Sequence, residues 1–183
     1  MKSLSLAAAL TALLCPVVAL AQPRELPAAC RDKPVPTAIT GEAYAIDGDT
    51  LAIAVQPHIR VWGIQAPELK DKTTGQETVA GMRARAHIEE LLAPSRRQVR
   101  CTPTKWDRYC RLVAMCDTRF GGAAPYAEPA DLGWSMLAAG QAYGFYLDDA
   151  VAGQPELSRN YAAAESMARA QRRGLWKDWL GEK

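Results

Sequence analysis

Residues 39–65 read ITGEAYAIDGDTLAIAVQPHIRVWGIQ, and this stretch decides the fold. β-Branched and aromatic residues recur through it, and two turn signals, Asp47-Gly48 and Pro57-His58, divide it. Asp-Gly between apolar alternations marks a hairpin, so strands are expected at about 39–46, 49–56 and 59–65. On the second, Leu51, Ile53 and Val55 share one face with Asp49 at its head, which sets that carboxylate at the rim of the buried side.

Downstream, helix formers dominate from Gln76 to Leu92 and Pro94 follows as a stop, without an apolar stripe that identifies the packing face. Two further strands, roughly 97–102 and 109–117, flank a turn at Trp106-Asp107. On the latter, Cys110, Leu112, Ala114 and Cys116 alternate with Arg111, Val113 and Met115. Gly121-Gly122 and Pro125 mark a loop, and Asp131 is a candidate N-cap for a helix carrying Leu132, Met136 and Ala139 and stopping near Gly140. A last helix over about 156–173 presents Leu157, Tyr161, Ala164 and Ala168 on one face, with Gly174 as terminator.

Upstream, residues 22–38 carry Pro23, Pro27, Pro34 and Pro36 and suit an extended leader that Cys30 can pin down. Residues 1–21 combine Lys2, an apolar run from Leu4 to Leu20 and the triplet Ala19-Leu20-Ala21, the pattern of a signal peptide cleaved after Ala21. The expectation is an exported protein, periplasmic or secreted. Pro16 and the polar Gln22-Pro23-Arg24 disfavour an anchor, so no stable membrane insertion is expected. Leu14 is too bulky to precede a lipid-bearing Cys15.

The rest of the chain is long enough to bury one substantial core and gives no reason to propose a second domain. With 22 Lys and Arg against 20 Asp and Glu, the net charge of +2 does not itself announce a nucleic-acid binder. The basic residues Arg83, Arg85, Arg96, Arg97, Arg100, Lys105, Arg108 and Arg111 nevertheless crowd one stretch, as a basic surface or simply a solvated face. Past the signal, Cys30, Cys101, Cys110 and Cys116 form an even set, which in an exported chain favours disulfides. They contain no C-x-x-C pair and lie far from His58 and His87, which argues against structural zinc.

The chemistry-bearing segments are Asp47-Gly48-Asp49-Thr50, then Arg60 with Gly63-Ile64-Gln65-Ala66-Pro67-Glu68, then Asp107-Arg108-Tyr109-Cys110-Arg111, and finally Gly174-Leu175-Trp176. Each alone reads as a turn or a surface charge. In this order, and over about residues 39–180, they resemble the staphylococcal nuclease (thermonuclease) family.

That resemblance implies an α+β, mainly β fold: a five-stranded Greek-key barrel of the oligonucleotide-binding type with three packed helices. It implies a nuclease acting on DNA, RNA or both, with calcium as the divalent cation; the signal segment adds export, and a monomer is expected. Arg60 and Arg111 would stabilise charge on the phosphate, and Glu68 would activate water. Asp49, the Gln65 carbonyl and the Ala66 backbone carbonyl fall on cation-ligand positions, while Arg108, Tyr109 and Tyr146 match nucleotide contacts.

The sequence also departs from the family pattern. Gln65 replaces a carboxylate, which weakens a calcium site. Ala66 replaces a threonine, Cys110 replaces a glycine whose turn aims Arg111, and Asp148 replaces a tyrosine. These changes motivate the alternative of a catalytically inactive module that binds nucleic acid or another ligand. A bridge between Cys101 and Cys116, on neighbouring antiparallel strands, leaves Cys30 to pair with Cys110.

Overall fold

The computed structural model describes residues 25–118, 130–148, 151 and 153–181. The signal segment, residues 22–24 and the Gly121-Gly122 and Pro125 loop signals lie outside them. The helices are α1 (Ala28–Arg31), α2 (Val79–Leu92), α3 (Leu132–Ala138), α4 (Leu157–Ala170) and α5 (Leu175–Trp179). The strands are β1 (Ile39–Ala45), β2 (Thr50–Ile53), β3 (Ile59–Val61), β4 (Ile64–Gln65), β5 (Gln98–Trp106), β6 (Leu112–Asp117) and β7 (Tyr143–Gly144).

Five strands close a barrel in the order β1-β2-β3-β6-β5, with β5 returning to β1. All pairs are antiparallel except β3 with β6. Closure removes the exposed sheet edge that a five-stranded open sheet would leave. The architecture is the expected α+β, mainly β barrel, and α2, α3 and α4 are its three substantial helices. Ala43, Leu51, Ile59, Val61, Val99, Leu112 and Ala114 form its buried core.

The strand expected over 59–65 is two strands. Gly63, at φ +74, turns the chain after Trp62, so β4 leaves the barrel and pairs with β7. Tyr161 lies against Gly63, where an added Cβ would come within 2.9 Å of its ring. The second strand stops at Ile53, because Val55 adopts φ +54 and is fully exposed rather than sharing the face of Leu51 and Ile53. Conversely β5 runs to Trp106, while β6 starts only at Leu112, so Cys110 and Arg111 belong to the intervening turn. Beyond that point Leu112, Ala114 and Cys116 alternate inward as expected.

Helix α2 begins after Thr78, whose hydroxyl accepts the Gly81 amide at 2.9 Å, whereas Glu77 is held extended by a bridge to Lys70. Its buried stripe is Gly81, Ala84, Ile88 and Leu92, a helical spacing diluted in the sequence by small residues. Asp131 caps α3 through the Trp134 amide and also accepts the buried Tyr161 hydroxyl. Gly140 and Gly174 approach back to back, and a Cβ on Gly174 would fall 2.2 Å from the Gly140 carbonyl oxygen. That contact seats Leu175 and Trp176, the closing motif, in a second small core with Ala168. Among the described residues no helix is long and apolar enough to cross a membrane.

Cys101 is bridged to Cys116 as expected, and the structure joins the remaining two cysteines, Cys30 and Cys110. Cys101 and Cys116 stand directly opposite in the β5–β6 ladder. The two helices absent from the sequence reading, α1 and α5, are short, four and five residues, and Cys30 lies in the first.

Candidate active site

One open groove of about 1120 Å³ runs beside the barrel between the β1–β2 turn, the segment from Arg60 to Glu68, and the β5–β6 turn. Asp49, Arg60, Gln65, Glu68, Arg108, Tyr109, Arg111 and Tyr146 all line it. Thus positions separated by nearly a hundred residues in sequence share one cavity. Ala66 lies just behind, buried, with its amide donating to Asp49 Oδ2 at 2.8 Å.

The β1–β2 turn places Asp49. Asp47 Oδ1 accepts the Asp49 amide at 3.0 Å, and Gly48 passes so close to Ala66 and Ala84 that a Cβ would meet both at 2.5 Å. Glycine is therefore required here by the approach of α2, in addition to its suitability for a turn. Asp49 is 5% exposed and Arg60 7% exposed, and they form an ion pair at 2.7 Å. Arg60 also donates to the carbonyls of Asp49 and Ile64 and to Gln65 Oε1.

Burial outweighs the Arg60 pairing and raises Asp49 to about 6. The same burial pushes the Arg60 guanidinium below its ordinary value, opposed by Asp49 and reinforced by the neighbouring positive charge of Arg111. The two guanidiniums therefore feel each other across the groove. A phosphate bound between them would relieve that repulsion.

Arg111 is positioned differently. Asp107 accepts its backbone amide at 2.9 Å and its Nε at 2.7 Å, while Nη1 donates to Thr50 Oγ1 at 3.2 Å. Asp107 also accepts the Tyr109 amide. Cys110 holds φ +57, so it reproduces the left-handed turn for which glycine is the easier residue. Replacing glycine with Cys110 has not displaced Arg111 from the groove.

Tyr109 and Tyr146 are 63% and 64% exposed, and the guanidiniums of Arg108 and Arg111 lie 4.8 and 5.3 Å from the Tyr109 ring centroid. Tyr146 also has a left-handed backbone, φ +52, a costly conformation at a groove-lining position. Phe145 packs edge-on against it at 4.3 Å between centroids. Glu68 projects at the rim, paired with Lys72 at 3.1 Å. Its backbone is fixed by α2: Thr78 Oγ1 donates to the Glu68 carbonyl, and Gly81 is the residue small enough to lie against it.

The sequence reading did not point to Lys72 or Phe145, and it placed Asp47, Lys105 and Asp107 in their segments without giving them a role in the groove. Asp107 was findable from its four-residue spacing to Arg111. Lys72 and Phe145 carry no comparable local signal.

A divalent cation needs several oxygen ligands, preferably charged. Here Asp49 Oδ1 faces Arg60 and Thr50, and Oδ2 faces the Ala66 amide. Gln65 Oε1 accepts from Arg60, and its Nε2 donates to the Ala66 carbonyl at 3.1 Å. Among the described residues no three His, Cys, Asp or Glu side chains group as ligands. Asp49, Gln65 Oε1 and the Ala66 carbonyl are the oxygens that would hold a divalent cation; as arranged they include a single carboxylate and are engaged by Arg60, Thr50 and protein amides.

Residues 58–178 match the family model described as staphylococcal nuclease homologue. The barrel's first two strands and Asp49 precede that match, so their contribution to the groove comes from the structure. The chain is 32% identical over 123 residues to the probable endonuclease lcl3 of Talaromyces marneffei, covering 67% of this chain and 35% of that protein. It is also 32% identical to the probable endonuclease lcl3 of Penicillium rubens, over 67% of this chain and 41% of the relative. A third relative, the probable endonuclease LCL3 of Paracoccidioides brasiliensis, is 35% identical over 68% of this chain and 35% of its own length. The chain thus spans little more than a third of these relatives. The ordered motifs, the closed barrel and the family match agree: this chain belongs to the staphylococcal nuclease family.

Proposed function

We propose that the protein is an exported nuclease that hydrolyses phosphodiester bonds in DNA, RNA or both. The observation that carries this reading is the convergence of Arg60 and Arg111 on one groove that also holds Glu68 and exposed tyrosines. Hydrolysis places negative charge on the non-bridging phosphate oxygens, and two guanidiniums held in advance stabilise it where it develops. Glu68 accepts a proton from the attacking water as the new oxygen–phosphorus bond forms. The bond to the leaving oxygen breaks, and that oxygen takes a proton from solvent. Arg108, Tyr109 and Tyr146 orient the nucleotide, and its phosphates contribute salt-sensitive binding.

Export is supported by the signal pattern in residues 1–21 and by two disulfides, which persist in oxidising compartments. The testing experiment incubates purified protein, residues 22–183, with single- and double-stranded DNA and RNA. Calcium, magnesium, manganese and a chelator are compared. Hydrolysis lost in Glu68→Ala supports the proposal, whereas no hydrolysis under any condition overturns it.

A second reading is a non-catalytic binding module. It is favoured by Arg60, whose donors already engage Asp49, Ile64 and Gln65. That reading requires salt-sensitive binding without turnover.

A further inference from the structure

The β5–β6 turn carries Arg108, Tyr109 and Arg111 on one side of the groove, and Cys110 lies among them. Two connections tie this turn to the segment before the barrel. Cys30, 1% exposed in α1, is bridged to Cys110 across 80 residues of sequence. At the other end of the turn, Trp106 Nε1 donates to the Lys33 carbonyl at 3.0 Å.

Inside the turn, the Cys110 amide donates to the Asp107 carbonyl and the Asp107 amide donates to the Arg111 carbonyl, each at 2.9 Å. This closed ring of bonds requires the left-handed backbone at Cys110, φ +57. A residue with a Cβ resists that conformation, while glycine does not. Something must therefore hold Cys110 where it is. Two devices do so: Asp107 Oδ1, which accepts the Tyr109 and Arg111 amides on either side, and the covalent attachment of the Cys110 Cβ, through sulfur, to the buried Cys30.

We infer that the Cys30–Cys110 disulfide is a positioning brace for substrate binding: it holds Cys110 left-handed, so that Tyr109 and Arg111 face the groove. Cys30 and Cys110 touch no reacting atom in this scheme and act through the turn. Affinity for nucleic acid then depends on the oxidation state of this bridge. The Cys101–Cys116 bridge has a different setting, because both its cysteines are buried within the barrel ladder. Cys110 is only partly buried, so its bridge is the more accessible to a reductant. The inference rests on the nucleic-acid reading of the groove.

The test compares wild type with Cys30→Ser/Cys110→Ser and Cys30→Ser/Cys110→Gly. Affinity for a short 5′-phosphorylated single-stranded oligonucleotide is measured by fluorescence anisotropy in chelator, so that no turnover enters the readout. Thermal melting checks folding. The serine pair retains a Cβ without the brace, and its affinity is expected to fall about tenfold, equivalent to about 1.4 kcal/mol. The glycine pair lacks the bridge but accepts the turn, and it is expected to recover to within about threefold of wild type.

Serine-pair affinity within twofold of wild type would overturn the inference. So would equal weakening in both pairs, since that result assigns the bridge a role outside the turn. If the serine pair does not fold, wild type is reduced under conditions where alkylation labels only Cys30 and Cys110. It must then show the same tenfold loss, and unchanged affinity overturns the brace. Oxidised wild type that fails to bind sinks the nucleic-acid reading and this inference with it. Wild type that binds while the variants match it sinks the brace alone.

Discussion

Arg60 and Arg111 face the same groove but are held by opposite means. Arg60 projects from β3 into a nearly closed environment, where Asp49 and the Gln65 and Ile64 oxygens surround it. Arg111 stands on a partly exposed turn, where a single carboxylate, Asp107, organises both its backbone and side chain. The first arginine is part of the barrel's structure, and the second is largely a fixture on its surface. Charge stabilisation and fold stability are therefore coupled at one guanidinium and separable at the other.

The largest expected contrast comes from removing each. Arg60→Ala strands buried Asp49 and is expected to cost about 3–5 kcal/mol of stability by chemical denaturation. Arg111→Ala is expected to cost about 1 kcal/mol or less, because its ion pair is partly solvated. Hydrolysis should fall about 10²- to 10³-fold in Arg111→Ala, the usual scale for losing one preorganised donor. Equal destabilisation by the two substitutions would erase the distinction.

Gln65→Asp sharpens it from the Arg60 side. The new carboxylate lies beside Asp49 and supplies the charge missing from the cation-ligand set. Calcium affinity by titration calorimetry is expected to rise about tenfold or more, together with hydrolysis at fixed calcium. Unchanged calcium binding would mean that Arg60 keeps its place between Asp49 and residue 65.

The buried arginine's partner should add its own pH dependence to stability. The folded state raises Asp49 from 3.8 to about 6, so it binds a proton more tightly than the unfolded chain does. Asp49 thus contributes a stability loss as pH rises from about 4 to about 6, with a slope of at most about 1.4 kcal/mol per pH unit. Other carboxylates add their own slopes, so the measurement is the difference in melting profiles between wild type and Asp49→Asn. Parallel profiles across that window would contradict the assignment.

The smallest effect belongs to the rim. Lys72 and Glu68 are exposed partners, and Lys72→Ala should change stability by less than about 0.5 kcal/mol. A larger loss in denaturant melts would show that the rim is built into the fold.

Much of the barrel was legible because alternation and turn chemistry are local. The inward series Leu112, Ala114, Cys116 and the Asp131 cap were both readable from spacing. The break at Gly63 was not, since it depends on Tyr161 arriving from α4 and on β7 pairing with β4. The packing stripe of α2 was obscured for a related reason. Gly81 and Ala84 are small because Glu68, Leu69 and Gly48 lie against them, contacts that hydrophobicity does not encode.

By itself the sequence determined the strand-rich first half, the motif order that identifies the family, and the residue types able to handle a phosphate. Those properties follow from local periodicity and side-chain chemistry. Only the tertiary structure decided that Arg60 is engaged by Asp49 and Gln65, and that Cys110 keeps a left-handed turn while joined to Cys30. Each depends on groups brought together by barrel closure, where burial strengthens charge coupling and a covalent bridge can hold a backbone shape that its residue type disfavours.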